Sequence, residues 1–292
     1  MKKYILGIDI GGTNLKGGIV THHGKVIKVA SIPSEAQQGQ ERFLAAFHRL
    51  ITLLGTTNVQ SIGIGCPGPL DAKRGVIISP PNIPLKNFPL RAYCARRYHL
   101  RTTIDNDANA FVLAEAIYGE GKKYRSVIGL TLGTGVGGGI VINKTIEHGR
   151  GNAGEFGFVT LAMDGPRGRA GDRGSLQEYL RGEPMWMLRK KLGLGTYSSK
   201  AIERLGRRRK RKALQYWKIF GERLGIGIAS MVHVLDPDII VLGGKISKAF
   251  PFFKKSLLAE VHDRTIFPPP PIRPTTLGDH AGIIGAALLA QQ

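Results

Sequence analysis

Cysteine is scarce. Only Cys66 and Cys94 occur in 292 residues, too few for a disulfide framework or a four-cysteine zinc site. A reduced, cytoplasmic setting is the simple reading. Acidic residues are scarce as well: 21 Asp and Glu stand against 42 Lys and Arg, leaving a formal net charge of +21. Such a surplus attracts polyanions in general, from nucleotides and polyphosphate to nucleic acid and acidic lipid, and does not choose among them. Long apolar runs are missing. None reaches the roughly 18 residues a membrane helix needs. The apolar start Tyr4-Ile5-Leu6-Gly7-Ile8 is broken by Asp9 and by Gly11-Gly12 too early for a signal peptide. A membrane is therefore not an expected partner.

What is present is glycine, 40 residues of it, in short clusters without a fixed period. Clustered glycine means tight backbone turns rather than collagen or low complexity. Hydrophobic residues make up 42%, enough for packed cores, and the length suits two compact domains. Strands are expected over 4–10, 15–20 and 25–30, the last two joined by a turn at His22-His23-Gly24-Lys25. The spacing of Phe43, Leu44, Phe47, Leu50, Ile51 and Leu54 predicts a helix over 40–54. A buried-type strand over 59–65 stops at Pro67-Gly68-Pro69. Helices follow over 88–98 and 107–118, with a short strand over 101–104 between them. Beyond residue 175 the chain reads as mainly helical, with a helix over 209–235, a strand over 239–242, a proline-rich loop over 268–271 and a small-residue helix over 282–289.

The pattern starts again partway along. Residues 7–13 read GIDIGGT and residues 129–135 read GLTLGTG, an offset of 122 residues. Each continues into glycines followed by Ile-Val. The repeat suggests two related halves facing each other.

Five motifs carry chemistry. Asp9-Ile10-Gly11-Gly12-Thr13-Asn14 offers backbone N–H groups to a phosphate, side-chain donors on Thr13 and Asn14, and a carboxylate on Asp9 that can hold magnesium, directly or through water. A glycine hairpin with a capping Asp reads the same. Thr131-Leu132-Gly133-Thr134-Gly135 forms a second cradle by the same logic, without the Gly-Lys-Ser/Thr ending of a P-loop. Asp105-Asn106-Asp107 follows a strand. Asp107 suits the proton of a sugar hydroxyl, a poor nucleophile, and Asn106 suits neighbouring hydroxyls. Helix capping favours the same residue types. Glu155 between glycines can reach out to two hydroxyls, and Gly243-Gly244 after a strand lets a flat ring lie on bare backbone.

Together these motifs resemble the ROK family (repressor, open reading frame, kinase) of the actin-like sugar-kinase superfamily. The resemblance spans nearly the whole chain and includes Gly65-Cys66-Pro67-Gly68-Pro69, Ser79-Pro80-Pro81-Asn82 and Ala281-Gly282-Ile283-Ile284-Gly285-Ala286. It implies two RNase-H-like α/β domains around a central cleft: 1–117, completed by the helix 281–292, and 118–280. It implies an ATP- and Mg²⁺-dependent hexose kinase, glucose being the first choice and other hexoses or N-acylhexosamines the alternatives. Asp107 falls on the catalytic base. Asn106, Glu155 and Asn82 fall on sugar contacts. Residues 11–14 and 133–135 fall on phosphate contacts, and Gly243 and Gly244 on the adenosine site.

The chain departs from the family pattern in three places. Phe158 stands where a His is usual. The zinc segment's three Cys are missing from Gly168-Arg169-Ala170-Gly171-Asp172-Arg173-Gly174-Ser175, so no structural zinc is expected and Arg–Asp pairing is expected in its place. The Glu after the last Cys falls on Gln177, beside Glu178, which is preferred as the sugar contact. The partners implied are a sugar, a nucleotide and a second copy in a dimer. The family's DNA-binding repressors carry an added N-terminal helix-turn-helix, for which the motif at residue 7 leaves no room. The basic run Arg207–Lys212 then reads as a solvated helix face, and nucleic acid is not an expected partner.

Overall fold

The computed structural model describes residues 3–168 and 170–292. Met1 and Lys2, which open the first expected domain, and Arg169 of the zinc-like segment lie outside the described residues. In chain order the elements are β1 (Tyr4–Ile10), β2 (Asn14–Thr21), β3 (Val26–Pro33), α1 (Gln40–Leu54), β4 (Val59–Cys66), β5 (Leu70–Asp71), β6 (Val76–Ile77), α2 (Leu90–Tyr98), β7 (Arg101–Asn106), α3 (Asp107–Tyr118), β8 (Ser126–Leu132), β9 (Val136–Ile142) and β10 (Thr145–Ile146). There follow α4 (Leu176–Arg181), α5 (Glu183–Lys191), α6 (Ser199–Arg207), α7 (Arg211–Leu235), β11 (Ile239–Gly243), α8 (Phe250–Arg264), β12 (Ile272–Pro274) and α9 (Ala281–Leu289). The chain forms two compact units. One comprises residues 1–122, 144–151 and 277–292, the other 123–143 and 152–276. Glycine turns after α3 keep residues up to 122 with the first unit, and the segment 144–151 returns to it, which no composition shift in the sequence marks.

In the first unit five strands run in the order β3-β2-β1-β4-β7. β1, β2 and β3 form an antiparallel meander, and β1, β4 and β7 are parallel. Side chains alternate between the faces of a strand. Leu6, Ile8, Ile10, Ile62, Ile64, Cys66 and Ile104 enter one core with Phe43, Phe47 and Leu50 of α1 and Leu90 and Cys94 of α2. The other face carries Gly7, Gly63 and Gly65. A Cβ on Gly63 would overlap the Ala286 carbonyl, and one on Gly7 would overlap the Ile283 carbonyl, so α9 lies directly on sheet backbone. Gly285 meets the Ala110 carbonyl of α3 in the same way. Gly55 stops α1 with its N–H on the Ile51 carbonyl at 2.8 Å.

The second unit repeats this topology in the order β9-β8-β11-β12, with β8 antiparallel to β9 and parallel to β11. Tyr4 and Ser126, which open β1 and β8, lie 122 residues apart, as do Asn14 and Val136, which open β2 and β9. The repeat seen in the glycine turns is thus a repeat of strand topology. Ile128, Leu130, Leu132, Ile240 and Leu242 join Trp217, Phe220 and Leu224 of α7 and Phe253 and Leu257 of α8 in one core. α7 begins two residues later than the sequence suggests because Arg209 takes a left-handed φ of 53°. β12 follows the proline-rich loop and ends in Pro274 at the sheet edge, where a missing N–H is tolerated.

Candidate active site

Strand register assembles one candidate cluster within the first unit. Asp9 of β1 pairs with Gly65 of β4, and Gly65 with Asp105 of β7, so the three form one row at the carboxyl ends of parallel strands. The Cβ-less Gly65 leaves room for the start of α3: a Cβ there would sit 3.4 Å from the Asp107 Cα. Asn106 is the N-cap of α3. Its side-chain oxygen accepts the Ala108 N–H at 2.8 Å, and the Asp107 carboxylate accepts the same N–H at 2.9 Å. Asp107 therefore sits in the first turn of a helix, where the macrodipole favours an anion. Burial pushes the Cys66 thiol well above its usual range, and the charges of Asp107 and Asp9 push it further. Both carboxylates thus act on one point at the end of β4. Asn106 lies against Gly68, whose Cβ would come 3.5 Å from the amide nitrogen.

The turn at 11–14 closes with the Gly11 N–H on the Asn14 carbonyl at 3.0 Å. Ser34 braces it, its hydroxyl donating to the Gly12 carbonyl at 2.7 Å and its N–H to that of Thr13 at 2.9 Å. Asn82 packs on Gly12, where a Cβ would come 2.8 Å from its own Cβ. Of the residues singled out in this unit, the structure brings the turn 11–14 together with Asn82, and Asp9 with Asn106 and Asp107.

The second unit holds a candidate cluster of its own. The turn at 133–135 closes with the Gly133 N–H on the Gly135 carbonyl at 3.0 Å. Thr131 pairs with Gly243, so the turn after β11 stands beside the end of β8. Gly244, at φ 78°, lies on the Leu132 carbonyl, a position any Cβ would fill. A shallow hollow here is lined by Gly133, Gly135, Leu180, Arg181 and Ile246. Glu155 is placed by Gly154, which at φ 89° packs on the backbone of Gly138 and Gly139. Its side chain is exposed, yet the protein around it is dense enough to hold its carboxyl above the usual range.

The departures from the family pattern have structural consequences. Phe158 is 41% exposed, a large apolar side chain left in solvent three residues after Glu155. Gln177 accepts the Val136 N–H at 3.1 Å and so holds the end of the glycine turn. Glu178 receives the Ser175 cap on its N–H at 3.3 Å and lays its carboxylate against Gly182. The stretch without cysteines is tied by bridges between Thr160 and Ser175 and between Arg167 and Arg173. Asp172 accepts the Ser175 hydroxyl, and its backbone carbonyl accepts the Gly168 N–H at 2.8 Å. Of the expected Arg–Asp pairing, Arg173 meets Asp164 at 3.3 Å, but both are exposed. The hydroxyl–carboxylate bond and the backbone ladder are the better ties, because an exposed ion pair contributes at most about 1 kcal/mol.

Asp9 fits a magnesium ion held mainly by nucleotide phosphates and water. Burial raises its carboxyl, only partly opposed by Lys16, and a cation there would relieve that burden. Among the described residues no group of three or more His, Cys, Asp or Glu could hold a metal ion by itself.

Three residues of the site have no place in the sequence reading: Asp105 as more than a neighbour, Asn109 and His148. Asp105 is 5% exposed. It accepts the Asn106 N–H at 2.6 Å, the Asn109 side-chain amide at 3.0 Å and His148 Nε2–H at 2.6 Å. That bond, above all, holds the His148 imidazole above its ordinary range. Asp105 could have been found as the third polar residue of its motif. Nothing marks His148, 43 residues further on.

The chain is 29% identical over 319 residues to a glucokinase of Thermotoga maritima, covering 100% of this chain and 98% of that one. It is 32% identical over 302 residues to an N-acetyl-D-glucosamine kinase of Yersinia pseudotuberculosis, covering 97% of each. The crystal structure of a ROK family glucokinase from Streptomyces griseus in complex with glucose and AMPPNP superposes with a TM-score of 0.87 at 27% identity, over 99% of both chains. The ROK family model matches residues 5–292. With motifs, doubled topology and full-length similarity in agreement, the chain belongs to the ROK family.

Proposed function

We propose that this protein transfers the terminal phosphoryl group of ATP to the 6-hydroxyl of glucose, with Asp107 as general base. Phosphorylation of a hexose by ATP is the activity of the glucokinases it resembles along their whole length. The observation that carries the finer reading is the place of Asp107: a carboxylate in the first turn of α3, at the carboxyl end of a parallel strand, beside Asn106. Asp107 accepts the hydroxyl proton as the oxygen attacks phosphorus. Asn106, Asn82, Glu155 and Glu178 hold sugar hydroxyls. The backbone N–H groups of 11–14 and 133–135 hold phosphate oxygens, and Gly243-Gly244 receives the adenosine. Magnesium beside Asp9 neutralises phosphate charge. In phosphoryl transfer, positioning and charge neutralisation lower the barrier most.

The two units serve as the two domains of such a kinase in this reading. The enzyme works as a homodimer in the cytoplasm, without nucleic acid or membrane as partner. No helix among the described residues is long and apolar enough to cross a membrane. The N-acetylglucosamine kinase relatives keep N-acylhexosamines as the second candidate substrates.

The test is a coupled ATP-consumption assay across glucose, mannose, fructose, N-acetylglucosamine and N-acetylmannosamine, with Asp107→Asn as the variant. Glucose is expected to give the highest kcat/KM. Asp107→Asn is expected to lose about 10²- to 10⁴-fold in kcat while ATP binding stays within a few-fold. A variant that keeps wild-type turnover removes Asp107 from the role.

A further inference from the structure

Residues 144–151 pack along α3. At one end Lys144 Nζ donates to the carbonyls of Ala116 at 2.6 Å and Lys122 at 2.7 Å, at the carboxyl end of the helix. At the other end His148 Nε2 donates to Asp105 at 2.6 Å, just before its first turn. The His148 carbonyl accepts the Gly151 N–H at 2.7 Å, which tightens the loop carrying the imidazole.

The geometry assigns His148, acting through Asp105, as a positioning residue for the start of α3, an assignment that rests on Asp107 being the base. One oxygen of Asp105 takes both the Asn106 N–H and the Asn109 side-chain amide. It thereby pins the residues on either side of Asp107, the N-cap and the third helical position. The other oxygen takes only the His148 bond among those described above. Without it the carboxylate is free to rotate, and both ties to α3 loosen. The bond to Asp105 engages the Asn109 side chain through its amide nitrogen alone, since its oxygen is buried with no hydrogen-bond partner among the described residues. The groups acting on the imidazole are acidic on both sides, Asp105 from β7 and Glu147 beside it in the loop. From α3 the network presents Asn109, which carries no charge. When protonated, His148 therefore neutralises the charge of the buried Asp105 carboxylate, two residues from the base. A small displacement of a reacting group is enough to cost orders of magnitude in rate.

Full-length wild type, His148→Ala, His148→Gln and Asp107→Asn are compared in kcat and in KM for ATP and glucose between about pH 5.5 and 9. His148→Ala is expected to lose about ten- to hundredfold in kcat with KM for ATP nearly unchanged. His148→Gln, which keeps an amide donor, is expected to recover most of that loss. Wild-type kcat is expected to decline with the titration of His148, and the Gln variant to lack this step. In parallel, NMR titration of the His148 ring is expected to move to lower pH in Asp105→Asn. Should His148→Ala fail to fold, the Gln variant carries the test through the missing pH step. Wild-type kcat in His148→Ala at every pH overturns the assignment, as does a Gln variant that keeps the step. If Asp107→Asn retains turnover, the base reading fails whatever the histidine variants do. If Asp107→Asn is inactive and the histidine variants are unimpaired, only the positioning role falls.

Discussion

Asp107 and His148 differ in how openly their roles are written. An Asp after Asn at a helix start carries a local signal, because capping needs a short polar side chain there. His148 carries none, because its role exists only once a loop folds back on a strand 43 residues earlier. The pair has a consequence for stability. The fold favours the protonated imidazole, so its folded value lies above that of the unfolded chain. The contribution is complete below the unfolded value and is lost as pH rises through the folded one. The melting temperature difference between wild type and His148→Gln is expected to be largest near about pH 5.5 and to shrink toward about pH 9. A difference that grows with pH would contradict the ion pair.

The glycines separate into two kinds at the level of elements. Gly7, Gly63 and Gly285 let α9 lie on β1, β4 and α3 at backbone distance. Gly133 stands exposed, with nothing within 4 Å of where a Cβ would point. Gly63→Ala is therefore expected to cost about 3 kcal/mol, the upper end of the usual overpacking range, read as a drop in the urea midpoint. Gly133→Ala is expected to stay within about 0.5 kcal/mol of wild type in the same measurement. If 133–135 cradles phosphate, that variant raises KM for ATP while leaving KM for glucose unchanged. Equal stability losses in the two variants would refute this division. The element boundaries follow local chemistry closely: α1 ends at Leu54 before Gly55, and α7 at Leu235 before Asp236-Pro237. β12 escaped because three residues after a run of prolines carry no pattern of their own; their place comes from pairing with β11.

For the molecule as a whole, the +21 charge is the largest feature without a local role. ATP is an anion and glucose is neutral, so a cationic surface raises the local concentration of the first alone. Raising ionic strength from about 0.05 M to about 0.5 M shortens the screening length several-fold. KM for ATP is expected to rise over that range, with KM for glucose unchanged within error. A flat response for ATP would show that the charge serves something other than nucleotide capture. Arg207 to Lys212 are exposed, but they do not form a helix face: α6 ends at Arg207, the chain turns through residues 208–210, and α7 begins at Arg211. Arg207 is paired with Glu203 on α6.

The sequence by itself determined the longer strands, the main helices, the doubled glycine turns and the motif around Asp107. Each of these rests on interactions between near neighbours: hydrophobic period, capping and the freedom of a residue without a Cβ. Tertiary structure alone decided the row Asp9–Gly65–Asp105, the use of Gln177 to hold the 133–135 turn, and the partnership of His148 with Asp105. These depend on strand register and loop return. Both are set by the packing of whole faces, which no short window of sequence contains.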